Sequence, residues 1–103
     1  MSEAASQGAA EAGIGALRRT LGIANKRGLH ARAAAKFVKV VENRKADITV
    51  FKDDMSVCGS SIMGLLMLSA SIDTHIRIVA KGNNAAATLE ELAGLVERRF
   101  DEE

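Results

Sequence analysis

Between residues 17 and 100 the hydrophobic pattern switches period several times in short pieces, and this switching limits most sharply what the chain can fold into. Ala34, Phe37, Val38 and Val41 recur at helical spacing after an alanine-rich start, which predicts a helix from Ala31 to about Glu42. Asp47 to Lys52 then alternates and is rich in β-branched residues. Asp53-Asp54 reads as a turn, and Met55 to Cys58 fits the returning arm of a hairpin. Upstream, Leu17, Leu21 and Ile23 with Arg18, Arg19 and Thr20 between them predict an imperfect strand from Leu17 to Ile23.

The second half repeats the alternation of types. Ile62 to Leu68 is a compact apolar run that Ser60 or Ser61 is suited to cap, which predicts a short helix. Thr74 to Ala80 places Ile76, Ile78 and Ala80 on one face and His75, Arg77 and Val79 on the other, the pattern of a half-buried strand ended by Lys81-Gly82. Asn83 or Asn84 then caps a last helix whose stripe is Ala85, Leu89, Leu92, Val96 and Phe100. The order strand, helix, strand, strand, helix, strand, helix predicts an α+β fold: an open-faced two-layer sandwich, with one four-stranded antiparallel sheet and three helices on a single face.

Composition bounds the function. The chain has 103 residues, and its formal charge of +1 and three aromatics, all Phe, give neither a basic footprint nor stacking side chains for nucleic acid. One cysteine, Cys58, excludes an internal disulfide, and two distant histidines offer no zinc-type spacing, so neither a metal nor a cofactor is expected. Residues 1–16 are rich in Ala, Gly, Ser and Glu, with no apolar run like that of a signal peptide or a membrane span. A flexible extension ahead of a domain at 17–103, in a cytoplasmic protein, is the expectation.

The chemistry concentrates in Gly28-Leu29-His30-Ala31-Arg32-Ala33-Ala34-Ala35, where a loop becomes a helix at a histidine. A histidine at a helix N-cap lies beside backbone N–H groups that have no intrahelical partner, here those of Ala31, Arg32 and Ala33. Together with the positive end of the helix dipole, these groups are suited to receive a phosphate. Arg32 can add a charge-assisted hydrogen bond, and Lys26 and Arg27 add charge nearby. Phosphoryl transfer asks mainly for in-line positioning and charge neutralisation, much of which a partner can supply. No nucleotide-binding loop, Ser/His/Asp set or metal motif accompanies this segment.

Gly28-Leu29-His30-Ala31-Arg32 resembles the active-site motif of HPr, the histidine-containing phosphocarrier family of the phosphoenolpyruvate-dependent phosphotransferase system. Ser61-Ile62-Met63-Gly64 resembles that family's second signature, at the family's separation from the first. The resemblance covers roughly Leu17 to Phe100. It implies that His30 accepts a phosphoryl group from Enzyme I on Nδ1 and passes it to an Enzyme IIA protein, with Arg32 steadying the phosphate. It also implies that Ser61 is a site for an HPr kinase/phosphorylase and that Ile62 and Met63, with Met67, Lys26 and Arg27, belong to a docking surface of a monomer. Leu65-Leu66-Met67-Leu68 and the ending Phe100-Asp101-Glu102-Glu103 resemble the nitrogen-related branch, NPr. Ala33 departs from the family, which often has proline there; proline would stiffen the first turn, whereas alanine keeps an N–H. A different reading of the same residues is a non-catalytic regulatory binding protein whose Ile62 to Met67 surface docks on a target enzyme under control of its phosphorylation state.

Overall fold

In a computed structural model, which describes residues 16–102, the strands and helices follow in the predicted order. The extension predicted over 1–16 lies, Ala16 apart, outside the described residues. The elements are β1 (Leu17–Gly22), α1 (Ala31–Arg44), β2 (Asp47–Lys52), β3 (Met55–Cys58), α2 (Ile62–Met67), β4 (His75–Lys81) and α3 (Ala85–Glu97). A left-handed turn over Arg99–Asp101 follows α3.

The strands form one antiparallel sheet in the order β1-β4-β2-β3. Its registers, Leu21 opposite Ile76 and Val50 opposite Ile78 among them, bring Leu21, Ile48, Val50, Ile76, Ile78 and Ala80 to one face. The helices cover that face with Phe37, Val41, Leu65, Leu92 and Val96, giving an open-faced two-layer sandwich. Strand β4 is central, so Val79, expected on the wetter face, is only 1% exposed; Arg18 and Thr49 flank it across the two ladders.

Helix α1 runs past Glu42 to Arg44 and ends on Lys45 at φ 54°, whose N–H reaches the carbonyls of Glu42 and Val41. Arg44 in the last turn suits the negative end of the dipole. Asn84 stands at the N-cap of α3 but does not cap it. Its Nδ2 donates instead to the Arg44 carbonyl at 2.7 Å, tying the start of α3 to the end of α1. The apolar stripe of α3 was expected to carry the helix to Phe100, yet the helix stops at Glu97. Phe100 is fully buried as expected, but it arrives through left-handed backbone at Arg99, Phe100 and Asp101 (φ 59°, 56° and 63°).

Gly28 fixes the entry to α1. It has φ +64°, and a Cβ there would lie 2.4 Å from the Ala70 carbonyl oxygen. That same oxygen accepts the Leu29 N–H at 2.8 Å, so the close approach is part of how the loop is held. Gly28→Ala is expected to cost at least about 1–3 kcal/mol in urea unfolding, from the left-handed backbone plus the clash. An unchanged unfolding midpoint would show that the loop is not so constrained.

Candidate functional site

The site is built where the loop after β1 enters α1. His30 is the N-cap of α1 with extended backbone (φ −82°, ψ 180°), and its carbonyl accepts the first helical bond from Ala34 N–H at 2.8 Å. Its Nδ1 accepts the Arg32 backbone N–H at 3.2 Å. The ring therefore lies over the helix N-terminus, whose first turn carries the amides of Ala31, Arg32 and Ala33. Ala33 is buried against the core while the Arg32 side chain is exposed.

The ring is largely covered. Its side chain is 13% exposed because the C-terminal segment folds back and sets Glu102 against it, with Glu102 Oε2 hydrogen-bonded to His30 Nε2. The other carboxylate oxygen accepts from Asn25 Nδ2 at 3.1 Å, and the same Nδ2 donates to the Gly28 carbonyl at 2.7 Å. The two acceptors fix the orientation of the Asn25 amide. They leave its Oδ1 buried without a partner among the described residues, at a cost of about 1–3 kcal/mol.

The contacts also determine the ring's tautomer. A backbone N–H can only donate, so Nδ1 presents a lone pair; an ionised carboxylate can only accept, so Nε2 carries the proton. The Glu102 carboxyl does ionise readily. Loss of hydration pushes it up, but hydrogen bonds from His30 and Asn25, with the positive charge of Arg27, outweigh this and hold it below its ordinary range.

Beside the ring, a cleft of about 520 Å³ is lined by Lys26, Arg27, Arg32, Lys36, Asp101 and Glu102. Lys36 Nζ is bonded to the Phe100 carbonyl at 2.7 Å, and Asp101 Oδ1 accepts from Arg98 Nε at 2.9 Å. Four cations against two carboxylates make the cleft a place for an anion. Among the described residues no group of three or more His, Cys, Asp or Glu is arranged to hold a metal ion, and no helix is long and apolar enough to cross a membrane.

The structure thus brings together His30, Arg32, Lys26 and Arg27. The remaining candidates lie on α2. Ser61 is its N-cap, with Oγ accepting the Gly64 N–H at 2.9 Å. Ile62, Met63 and Met67 are exposed (40%, 68% and 63%) while Leu65 is buried beneath them. The two regions meet through the chain after α2, where the Ala70 carbonyl accepts from the Leu29 N–H and Ser69, Ala70 and Ser71 line one shallow cleft with Arg27 and Leu29. Sequence reasoning missed Asn25, Lys36 and Glu102 as site residues. Asn25 followed three residues later by Gly28 is a turn signal; nothing in the sequence marks Glu102 as returning to a residue 72 positions away.

The family model described as "PTS HPr component phosphorylation site" matches residues 17–98. The chain belongs to the HPr family. The phosphocarrier protein NPr of Shewanella violacea is 38% identical over 86 residues, covering 84% of this chain and 94% of its own. The phosphocarrier protein HPr of Neisseria meningitidis serogroup A is 40% identical, covering 84% and 97%. Among solved structures, an HPr from Thermoanaerobacter tengcongensis superposes with a TM-score of 0.81 at 37% identity, covering 84% of this chain and 98% of that one. This HPr-family protein is accordingly a phosphocarrier of the phosphotransferase system, and its sandwich is the HPr fold.

Proposed function

We propose that this protein accepts a phosphoryl group from Enzyme I on Nδ1 of His30 and passes it to an Enzyme IIA protein, acting as a cytoplasmic monomer. The observation that carries the proposal is the lone pair of Nδ1 held over the first turn of α1 by the Arg32 amide. When Nδ1 bonds to phosphorus, that amide is released to a phosphate oxygen, and the amides of Ala31 and Ala33 belong to the same turn. Arg32, Lys26 and Arg27 line the adjoining cleft and supply charge to balance the phosphate. The acidic ending and the NPr relative support the nitrogen-related branch, while the HPr relatives keep the sugar-transport branch in contention. Incubation with Enzyme I and phosphoenolpyruvate should give an acid-labile, base-stable phosphoprotein. A protein that stays unmodified under conditions that phosphorylate a control HPr would sink the proposal.

A second reading coexists with the first. The apolar surface of Ile62, Met63 and Met67 suits docking on Enzyme I, on Enzyme IIA or on a regulated target enzyme. Ser61 phosphorylation by an HPr kinase/phosphorylase would place charge at the edge of that surface and oppose docking by repulsion and steric conflict. Met63→Asp should raise the half-saturating concentration of Enzyme I about tenfold or more, while leaving the rate at saturation and the fold unchanged. Equal half-saturation in both proteins would remove α2 from the interface.

A further inference from the structure

We propose that Glu102 is a positioning residue for phosphoryl transfer, holding the His30 ring in the Nε2–H form so that Nδ1 is always the nucleophile. This rests on the carrier reading above. Three observations converge on it. Glu102 binds the ring edge opposite Nδ1 and so leaves Nδ1 to the Arg32 amide. Its second oxygen is held by Asn25, which is fully buried and anchored on the Gly28 carbonyl, so the carboxylate is oriented rather than loosely paired. The chain that delivers it is itself fixed, with Phe100 fully buried and the Phe100 carbonyl bonded to Lys36.

The step balances without a proton leaving the site. The Nδ1 lone pair forms the N–P bond as the bond from phosphorus to the donor atom of phosphorylated Enzyme I breaks, its electron pair departing with the donor. The ring becomes cationic and keeps its proton on Nε2, where Glu102 compensates the charge. In the forward transfer to an acceptor the N–P electron pair returns to Nδ1, and the Nε2 proton has not moved. The carboxylate thereby serves both directions of transfer, as the buried carboxylate does for the histidine of a serine-protease triad.

Glu102→Gln breaks this logic because Asn25 Nδ2 and His30 Nε2 use different carboxylate oxygens, and a carboxamide puts an NH2 donor in place of one of them. Long-range proton–nitrogen NMR of the imidazole reads the ring directly and needs no partner. Wild type should show a single Nε2–H form with a downfield, exchange-protected proton. Glu102→Gln should lose that proton signature, and Glu102→Asp should restore it in part. With Enzyme I, Glu102→Gln should slow the first-order transfer step about 10–100-fold, the range known for carboxylates that orient metal-bound histidines, with half-saturation unchanged. Glu102→Asp should recover part of that rate.

Ring signals identical to wild type in Glu102→Gln, or a transfer rate equal to or above wild type, would overturn the proposal. Because the NMR comparison requires no phosphorylation, a wild-type chain that takes up no phosphate would defeat the carrier reading separately.

Discussion

A His30→Ala protein given Enzyme I and phosphoenolpyruvate is expected to take up no phosphoryl group above background, while His75→Ala is phosphorylated like wild type. Removing the acceptor nitrogen leaves nothing else at the start of α1 to form a bond to phosphorus, so the loss is complete rather than graded. The variant should still fold. Losing the side-chain acceptor for the Arg32 amide costs about 0.5–2 kcal/mol, a fraction of the stability of an ordinary domain. Arg32→Ala should behave differently, since it removes a charge-assisted hydrogen bond worth about 1.5–3 kcal/mol and leaves the nucleophile, for a fall in transfer rate of about 10–100-fold. Phosphorylation of His30→Ala at wild-type level, followed by mass-spectrometric localisation elsewhere, would move the site.

The largest effect on stability is expected from Phe100→Ala. Phe100 is fully buried beyond the end of α3, in three consecutive non-glycine residues with left-handed backbone. Such backbone costs about 1–3 kcal/mol per residue and persists only where its surroundings hold it. The aromatic side chain in the core is the largest of the groups that hold it here, beside the Lys36 bond to its carbonyl, the Arg98–Asp101 pair and the Asn25 bond to Glu102. Replacing the ring by a methyl group leaves a cavity and removes the anchor, for a loss of about 3–5 kcal/mol. For a domain of this size that lowers the melting temperature by roughly 12 °C or more. The same variant should release Glu102 from His30, so the protected Nε2 proton disappears with the stability. A loss below about 1 kcal/mol would mean that the turn is held by something other than the ring.

The elements were legible because their periods were. Phe37, Val38 and Val41 at helical spacing, and Ile76, Ile78 and Ala80 in alternation, each state a face to be buried, and burial of those faces fixed element type and order. Apart from Val79, buried because β4 is central, the departures fell at element ends. The apolar stripe that reaches Phe100 is the same whether the helix continues or the chain turns left-handed, and Asn84 can equally well accept from its own helix through Oδ1 or donate to Arg44 through Nδ2. Local pattern cannot separate these choices, since the partner that decides each one is distant in the chain.

The same division holds at the site. His30, Arg32, Lys26 and Arg27 lie within seven consecutive positions, so a loop that becomes a helix brings them together whatever the rest of the fold does. The sequence by itself therefore determined the α+β order, the histidine over a helix N-terminus and the nearby cations. Only the tertiary structure decided that the ring is mostly covered, that Asn25 and Glu102 grip its far edge, and that Nδ1 rather than Nε2 faces the amide. The physical reason is range: helix termini and capping arise within one turn of chain, whereas returning Glu102 to His30 needs the sheet, α3 and the buried Phe100 to fix where the chain ends.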